Sequence, residues 1–200
     1  MKSLLTTILL LTATCCFAQK NKTYNDSLKA YQQQYVSSHE VVKGGDRKYF
    51  RFFTIDKNFK VLCRFERSAD TSVVRMKTSG KTIPQKDFRR YGKLIFIIHD
   101  TTLQLTVYQS TPVKQNDPYK DYLFIPFTDL TTGEATYGSG RYIDIFTTDI
   151  KNNEVVIDFN KAYNPYCAYT TGYNCPIPPR ENYLAIAINA GEKAFAKATH

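Results

Sequence analysis

Residues 93–109 read KLIFIIHDTTLQLTVYQ, and this stretch decides the fold. It contains two runs, Lys93 to His99 and Thr102 to Gln109, which Asp100-Thr101 joins. Both runs are rich in the β-branched and aromatic residues that favour a pleated, half-buried surface. They are the clearest strands that the sequence predicts.

Further short runs of the same kind lie on both sides of this pair. Strands are predicted at Tyr49 to Ile55, Phe59 to Glu66, Ser72 to Thr78, Tyr122 to Phe127, Arg141 to Thr147, Glu154 to Phe159 and Tyr183 to Asn189. Many short strands with turn signals between them, and no alternating helices, indicate antiparallel pairing. The sequence therefore predicts a mainly β domain, either an antiparallel β-sandwich or barrel-like.

Two helices are predicted at the ends of this β-rich region. Residues 19–45 are expected to form an N-terminal tether and a helix. Four apolar or aromatic residues fall on one face of that helix, namely Tyr24, Leu28, Tyr31 and Tyr35. A short C-terminal helix is expected from Ala190 to Ala198. Residues 46–200 are thus predicted to form a single β-rich domain.

The first eighteen residues have the features of a signal peptide. Lys2 is basic, Leu4 to Thr14 is apolar, and Cys16-Phe17-Ala18 places small residues at a cleavage site. The apolar run is shorter than the roughly 20 residues of a transmembrane helix. We therefore expect a periplasmic or extracellular protein with no transmembrane segment in the mature chain. The alternative is a lipoprotein acylated at Cys15 or Cys16, although the usual upstream leucine is missing.

The charge balance is basic, with 27 Lys and Arg against 18 Asp and Glu, a formal net charge of +9. These residues are scattered along the chain, without an arginine-rich arm or a nucleic-acid signature motif. We expect a solvated basic surface and no specific nucleic-acid partner. An anionic partner is the alternative that the charge leaves open.

Three segments near the C-terminus are unlike ordinary strand and turn sequence. They read TGEATYGSGRY at 132–142, DFNKAYNPYCAY at 158–169 and NCPIPPREN at 174–182, with AGEK following at 190–193. Together with FIPFTD at 124–129, they resemble the bacterial domain-of-unknown-function (DUF) family 1684. The resemblance covers roughly Tyr49 to Phe195. It implies no activity, substrate or catalytic residue, but it marks where a site should be sought.

Cys167 and Cys175 are the first candidates for chemistry in this region. In an exported protein, two cysteines eight positions apart are typical of a disulfide that closes a short loop. Two buried thiols are an alternative. A nucleophilic Cys167 is another, and it would need a group such as His99 to stabilise its thiolate. Cys63 lies in a predicted strand and is expected to be a small core residue.

Arg141 follows a glycine turn, YGSG at 137–140. The turn amides and the guanidinium could together hold a carboxylate or a phosphate. Alternatively, the turn is only structural and Arg141 pairs with Asp144 or Asp158. Asp158 and Glu181 are candidates for the acid/base pair of a hydrolase. No cofactor and no metal site are predicted, because the cysteine and carboxylate spacings match neither a zinc site nor a calcium loop.

We expect a non-catalytic exported domain that binds a small anionic or glycan ligand or an envelope partner. The predicted ligand-binding residues are Arg141, Tyr142, Asp158, Asn160, Tyr163, Asn164, Glu181 and Asn182, beside the loop from Cys167 to Cys175. One alternative is a hydrolase that uses Cys167 or the pair Asp158 and Glu181. A second alternative is a purely structural envelope protein.

Overall fold

The computed structural model describes residues 23–70, 72–80, 85–111 and 118–197, and the expected signal peptide lies outside them. In this part of the chain one α-helix, α1 (Tyr24–Ser38), precedes the strands. The strands are β1 (Lys60–Arg67), β2 (Val73–Lys77), β3 (Gln85–Ile98), β4 (Thr101–Ser110), β5 (Tyr122–Asp129), β6 (Arg141–Phe146), β7 (Glu154–Asp158) and β8 (Tyr183–Leu184). None of the described helices is long and apolar enough to cross a membrane.

The strands form one curled sheet in the order β6-β5-β4-β3-β1-β7, with β2 paired to β3 and β8 paired to β5. The pairing is antiparallel except between β5 and β8. The two strands at the ends of this order, β6 and β7, come into contact with each other, so the sheet curls into a half-barrel. The predicted class, a mainly β antiparallel domain with an N-terminal helix, is confirmed, and its form is barrel-like.

The stretch that predicted the fold forms the long β3–β4 hairpin. His99 and Asp100 make its turn with φ angles of 46° and 61°, a conformation that a short polar side chain tolerates. Strand β3 begins at Gln85, earlier than predicted, and its register shifts at Gly92. A side chain at that position would collide with the ring of Phe65. The shift lets the first half of β3 pair with β2 and the second half pair with β1.

Alternate side chains of the strands point into the half-barrel and form the main core. This core includes Val61, Phe65, Leu94, Phe96, Leu105, Leu123, Ile125, Phe127, Ile143, Ile145 and Ile157. Burying a side chain of this size stabilises the fold by roughly 1.5–3 kcal/mol. Cys63 is a fully buried member of the same core, and burial raises the pKa of its thiol to about 12.

Arg141 is fully buried at the start of β6, where it holds the C-terminal segment against the sheet. Its Nη2 donates to Asp129 Oδ2 at 3.0 Å and to the carbonyl of Ile188 at 2.9 Å. Its Nη1 donates to the carbonyls of Ala190 and Glu192. Desolvation lowers the pKa of Arg141, and the Asp129 carboxylate opposes this effect. The guanidinium therefore stays paired inside the protein.

The C-terminal segment differs from the sequence prediction. The predicted helix at 190–198 is wrong over the described residues to 197, since the carbonyls at 190 and 192 accept from Arg141 instead of from helical amides. The predicted strand from Tyr183 to Asn189 is limited to β8. The predicted strand from Tyr49 to Ile55 is reduced to a single bridge between Phe52 and Glu192.

Glu192 joins α1 to the domain. Its buried carboxylate accepts hydrogen bonds from the Tyr35 hydroxyl at 3.1 Å, the Tyr169 hydroxyl at 2.7 Å and the Asn164 amide at 3.0 Å. Tyr35 belongs to α1, whereas the other two donors lie beyond β7. Burial raises the pKa of Glu192 to about 7, although these donors favour the charged form.

We expect Arg141→Met to lower the free energy of unfolding by about 3–5 kcal/mol, because Asp129 would keep a buried charge without its partner. Chemical denaturation of both proteins measures this difference. Arg75→Met is the matched control, because Arg75 is exposed on β2 and forms only a surface pair with Asp87. The control should change stability by less than about 1 kcal/mol. Equal losses in the two variants would contradict the proposed anchoring.

Stability should also depend on pH through Glu192, whose pKa of about 7 in the folded chain exceeds its ordinary value of 4.5. The folded chain then binds more protons than the unfolded chain between these values, so stability falls as pH rises through this window. The contribution is on the order of 3 kcal/mol. Glu192→Gln cannot titrate, so the difference in unfolding free energy between wild type and variant should shift between pH 4.5 and 7. A pH-independent difference would show that Glu192 titrates normally.

Candidate functional site

The outer face of β6 and its neighbours carries a second apolar cluster. On β6, Ile143 and Ile145 point into the main core, so Tyr142 and Asp144 point to the opposite face. The register places Phe124 of β5 beside Asp144. The buried members of this second cluster are Met76, Phe88, Tyr108, Phe124 and Tyr142.

A strap, residues 163–177, crosses this face from β6, at one end of the sheet order, to β2. At its start Tyr163 and Tyr142 of β6 exchange two backbone hydrogen bonds of 2.9 and 3.1 Å. At its end the Ile177 amide donates to the Lys77 carbonyl in β2 at 2.8 Å. Because both ends are paired to the sheet, the middle of the strap stands above the sheet face.

A disulfide between Cys167 and Cys175 closes a loop within the strap. The Ser79 hydroxyl, just after β2, donates to Cys167 Sγ at 2.9 Å. With both sulfurs bonded, neither cysteine provides a thiolate. His99 packs against Phe59 at the β3–β4 turn and is not among the contacts of Cys167. The structure therefore gives no support to the nucleophile hypothesis.

Between the strap, the sheet face and the end of α1 lies a cleft of about 640 Å³. Its walls include seven tyrosines, namely Tyr31, Tyr35, Tyr122, Tyr142, Tyr163, Tyr166 and Tyr173. Polar side chains are interspersed among them, namely Ser38, His39, Glu40, Lys86, Ser110, Asp144 and Asn174. An aromatic cavity of this size with a few polar groups is typical of a small-molecule site.

Asp144 is the acidic centre of this cleft. Its Oδ1 accepts from the Tyr122 hydroxyl at 2.7 Å, and its Oδ2 accepts from the Tyr163 hydroxyl at 2.8 Å. The surrounding side chains raise the pKa of Asp144 by desolvation, while the two hydroxyls act in the opposite direction. The side chain remains exposed to the solvent in the cleft. Among the described residues, no Lys or Arg forms an ion pair with it.

His39 lies where α1 ends and is a neutral wall of the cleft. Its Nδ1 accepts hydrogen bonds from the amides of Val41 and Val42 at 3.3 and 3.0 Å. Burial, followed by the charge of Lys43, lowers the pKa of His39 to about 4. Because Nδ1 is an acceptor, the proton of the neutral ring is assigned to Nε2, which has no protein partner within the described chain.

Only Tyr142 and Tyr163 of the eight predicted ligand residues line the cleft. Arg141 does not, because it is fully buried and its terminal nitrogens bond to protein oxygens. The suggested pairing of Arg141 with Asp144 or Asp158 is also wrong, since its partner is Asp129. The glycine turn and Arg141 thus form a structural support for the fold.

The three predicted asparagines are buried and bond to the backbone. Asn182 bonds to the amide and carbonyl of Thr106 and to the carbonyl of Pro126. Asn160 does the same with the amide and carbonyl of Asp56. Asn164 donates to the carbonyl of Lys193. These side chains replace missing main-chain partners in irregular segments, so they are not presented to a ligand.

Asp158 and Glu181 do not form the predicted acid/base pair. Asp158 accepts from the Tyr24 hydroxyl at 3.0 Å. Glu181 accepts from the Tyr108 hydroxyl at 2.6 Å and from Arg90 at 3.1 Å. Desolvation alone would raise the pKa of Glu181, but these donors outweigh it and lower the pKa. The two carboxylates therefore belong to separate networks, and neither lines the cleft.

Asp144 was not among the predicted ligand-binding residues, although it was considered as a partner of Arg141. A signal was present in the alternation of Ile143, Asp144 and Ile145, which places the carboxylate on the face opposite the core. Tyr31 and Tyr35 lie on the predicted aromatic face of α1, but the sequence does not show what that face packs against. Their side chains reach the cleft because α1 packs beside the strap, a contact between residues far apart in sequence.

We expect Cys167 and Cys175 to resist alkylation in the denatured, unreduced protein and to react after reduction, while Cys63 reacts in both. Intact mass with mapped positions checks this. Replacing both bridge cysteines by serine should lower the free energy of unfolding by about 2–3 kcal/mol, as chain entropy gives for a loop of this length. Rapid alkylation of Cys167 in the native, unreduced protein would restore the nucleophile hypothesis.

The fold resembles a solved structure, the solution NMR structure of the uncharacterized protein from gene locus rrnAC0354 of Haloarcula marismortui. The TM-score is 0.62 at 25% sequence identity, and the match covers 84% of this chain and 92% of that chain. No match was found among the curated proteins. The model of the family described as protein of unknown function (DUF1684) matches residues 48–193, which is more than half of the sequence. The chain therefore belongs to the DUF1684 family.

Proposed function

We propose that the protein is an exported, non-catalytic binding domain whose ligand is a glycan held in the tyrosine-lined cleft. The observation that carries this proposal is the composition of the cleft wall. Tyrosines from α1, the sheet and the strap meet around one cavity, with carboxylate, hydroxyl and amide groups between them. Tyrosine combines an apolar ring face with a polar tip, which suits a ligand that has both kinds of surface.

A sugar ring has such a pair of surfaces. Its carbon–hydrogen faces can pack on aromatic rings, while its hydroxyl groups both donate and accept hydrogen bonds. Within the cleft, Asp144 and Glu40 can accept, Lys86 can donate, and Ser110 can do both. This range of partners matches a polyhydroxylated ligand better than a purely apolar one.

The charges of the cleft disfavour the anionic ligand that the sequence analysis left open. Asp144 and Glu40 are acidic, and Lys86 is the basic residue on the described cleft wall. Arg141, the predicted anion donor, is buried below the sheet surface. A carboxylate or phosphate ligand would therefore meet repulsion near Asp144.

Two features support export. The N-terminal sequence has the charge, apolar run and small residues of a signal peptide. The strap carries a disulfide, a bond that persists in oxidising compartments outside the cytoplasm. The protein would then bind its glycan ligand in the periplasm or outside the cell.

Titration with a panel of defined oligosaccharides tests the binding function, with isothermal calorimetry as the readout. Tyr173→Ala should weaken binding about tenfold, equivalent to ~1.4 kcal/mol, because it removes one ring from the cleft mouth. Tyr183→Ala is the matched control, since Tyr183 is similarly exposed but lies on β8, away from the cleft. If no oligosaccharide binds at millimolar concentration, or both variants lose affinity equally, the proposal is wrong.

A further inference from the structure

The floor of the cleft presents a carboxylate that has no ion pair with any residue the structure describes. Asp144 receives hydrogen bonds from Tyr122 and Tyr163, yet no ion pair reaches it from the described chain. Two neutral hydroxyl donors leave its negative charge in place. A group that binds beside it must therefore accommodate that charge.

The rings next to Asp144 stand at steep angles to one another. Tyr142 and Tyr163 are 5.8 Å apart between ring centroids with an interplanar angle of 88°. Phe124 and Tyr142 are 4.7 Å apart at 75°. Phe124 also lies directly opposite Asp144 in the β5–β6 register. Phe124 and Tyr142 are buried and pack edge to face, and Tyr163 is only partly buried. These rings therefore form an aromatic floor beneath the exposed carboxylate.

From this arrangement we infer that Asp144 is the charged group of a subsite for a cationic amino group, on a floor formed by Phe124, Tyr142 and Tyr163. This inference rests on the proposed glycan-binding function, and it makes the ligand an amino sugar with a free amine. The carboxylate would pair with the ammonium group through their opposite charges. The remaining sugar rings would pack along the tyrosines of α1 and the strap.

The other charged groups of the cleft are compatible with a cation. Glu40 is acidic and His39 is neutral at neutral pH. Lys86 is exposed on β3 and does not form an ion pair with Asp144. Two carboxylates and one ammonium give these described lining groups a net charge of −1 at neutral pH. A bound ammonium group would balance this charge.

Calorimetry with matched sugars tests the inference. The probes are a glucosamine oligosaccharide with free amines, its fully N-acetylated counterpart of equal length, and tetramethylammonium chloride. Wild type should bind the free-amine oligosaccharide about tenfold more tightly than the acetylated one, since a charged partner is gained. Asp144→Asn should abolish this preference while the shape of the side chain is kept.

Asp100→Asn is the matched control, because it removes one carboxylate at the β3–β4 turn, where asparagine tolerates the positive φ. It should keep the full preference for the free amine. Thermal melting establishes that each variant is folded. If Asp144→Asn does not fold, Asp144→Ser, which removes the carboxylate but keeps a hydrogen-bond acceptor for the two tyrosine hydroxyls, should abolish the preference instead.

The outcomes separate this inference from the function on which it rests. Equal binding of the two oligosaccharides, unaffected by Asp144→Asn, would overturn the amine subsite and leave a glycan-binding domain. Binding of tetramethylammonium alone, lost in Asp144→Asn, would support the cation subsite and remove the glycan. Binding of none of the three probes would reject both.

Discussion

Arg141 fixes the path of the last described residues by giving their carbonyl groups a buried donor. Its guanidinium donates to Asp129 and to the carbonyls at 188, 190 and 192, and these bonds tie the segment to the sheet. Replacing such a buried pair by apolar side chains often costs no stability, whereas leaving one partner alone is expensive. The Arg141–Asp129 pair therefore contributes mainly by specifying the path of the C-terminal segment. The C-terminal segment thus places three of its carbonyl oxygens on the Arg141 guanidinium.

The cleft depends on that placement through Glu192. With the C-terminal segment in place, the Glu192 carboxylate accepts hydrogen bonds from Tyr35 of α1 and from Tyr169 and Asn164 of the strap. Two walls of the cleft are thus joined at one buried carboxyl group, while the third wall is the sheet itself. The strap is secured separately at β6 and β2 and by its disulfide. Site geometry consequently follows from the packing of three chain segments that are distant in sequence.

Strands with a local alternation of apolar and polar residues could be predicted from the sequence. The site could not, because its residues come from separate segments. The alternation of apolar and polar residues in 93–109 indicates a strand face that is buried along its length. The β3–β4 hairpin was therefore predicted. The polar residues at the start of β3, from Gln85, lack this alternation. They form a strand because they pair with the neighbouring strands β2 and β4. Arg141 was predicted to bind a ligand because burial of a charge leaves no mark in sequence. Asp144 shares the strand pattern that places it, but apart from Tyr142 on the same strand the rings around it come from other segments of the chain.

The abundance of tyrosine has a practical consequence. The sequence contains 15 tyrosines and no tryptophan, so near-ultraviolet absorption and emission come almost entirely from phenol rings. Seven of those rings line the cleft. Nearly half of the chromophores therefore surround one cavity, and an occupant would change the polarity around them together. The protein carries its own label-free optical reporter of occupancy, placed there by the same side chains that build the cavity.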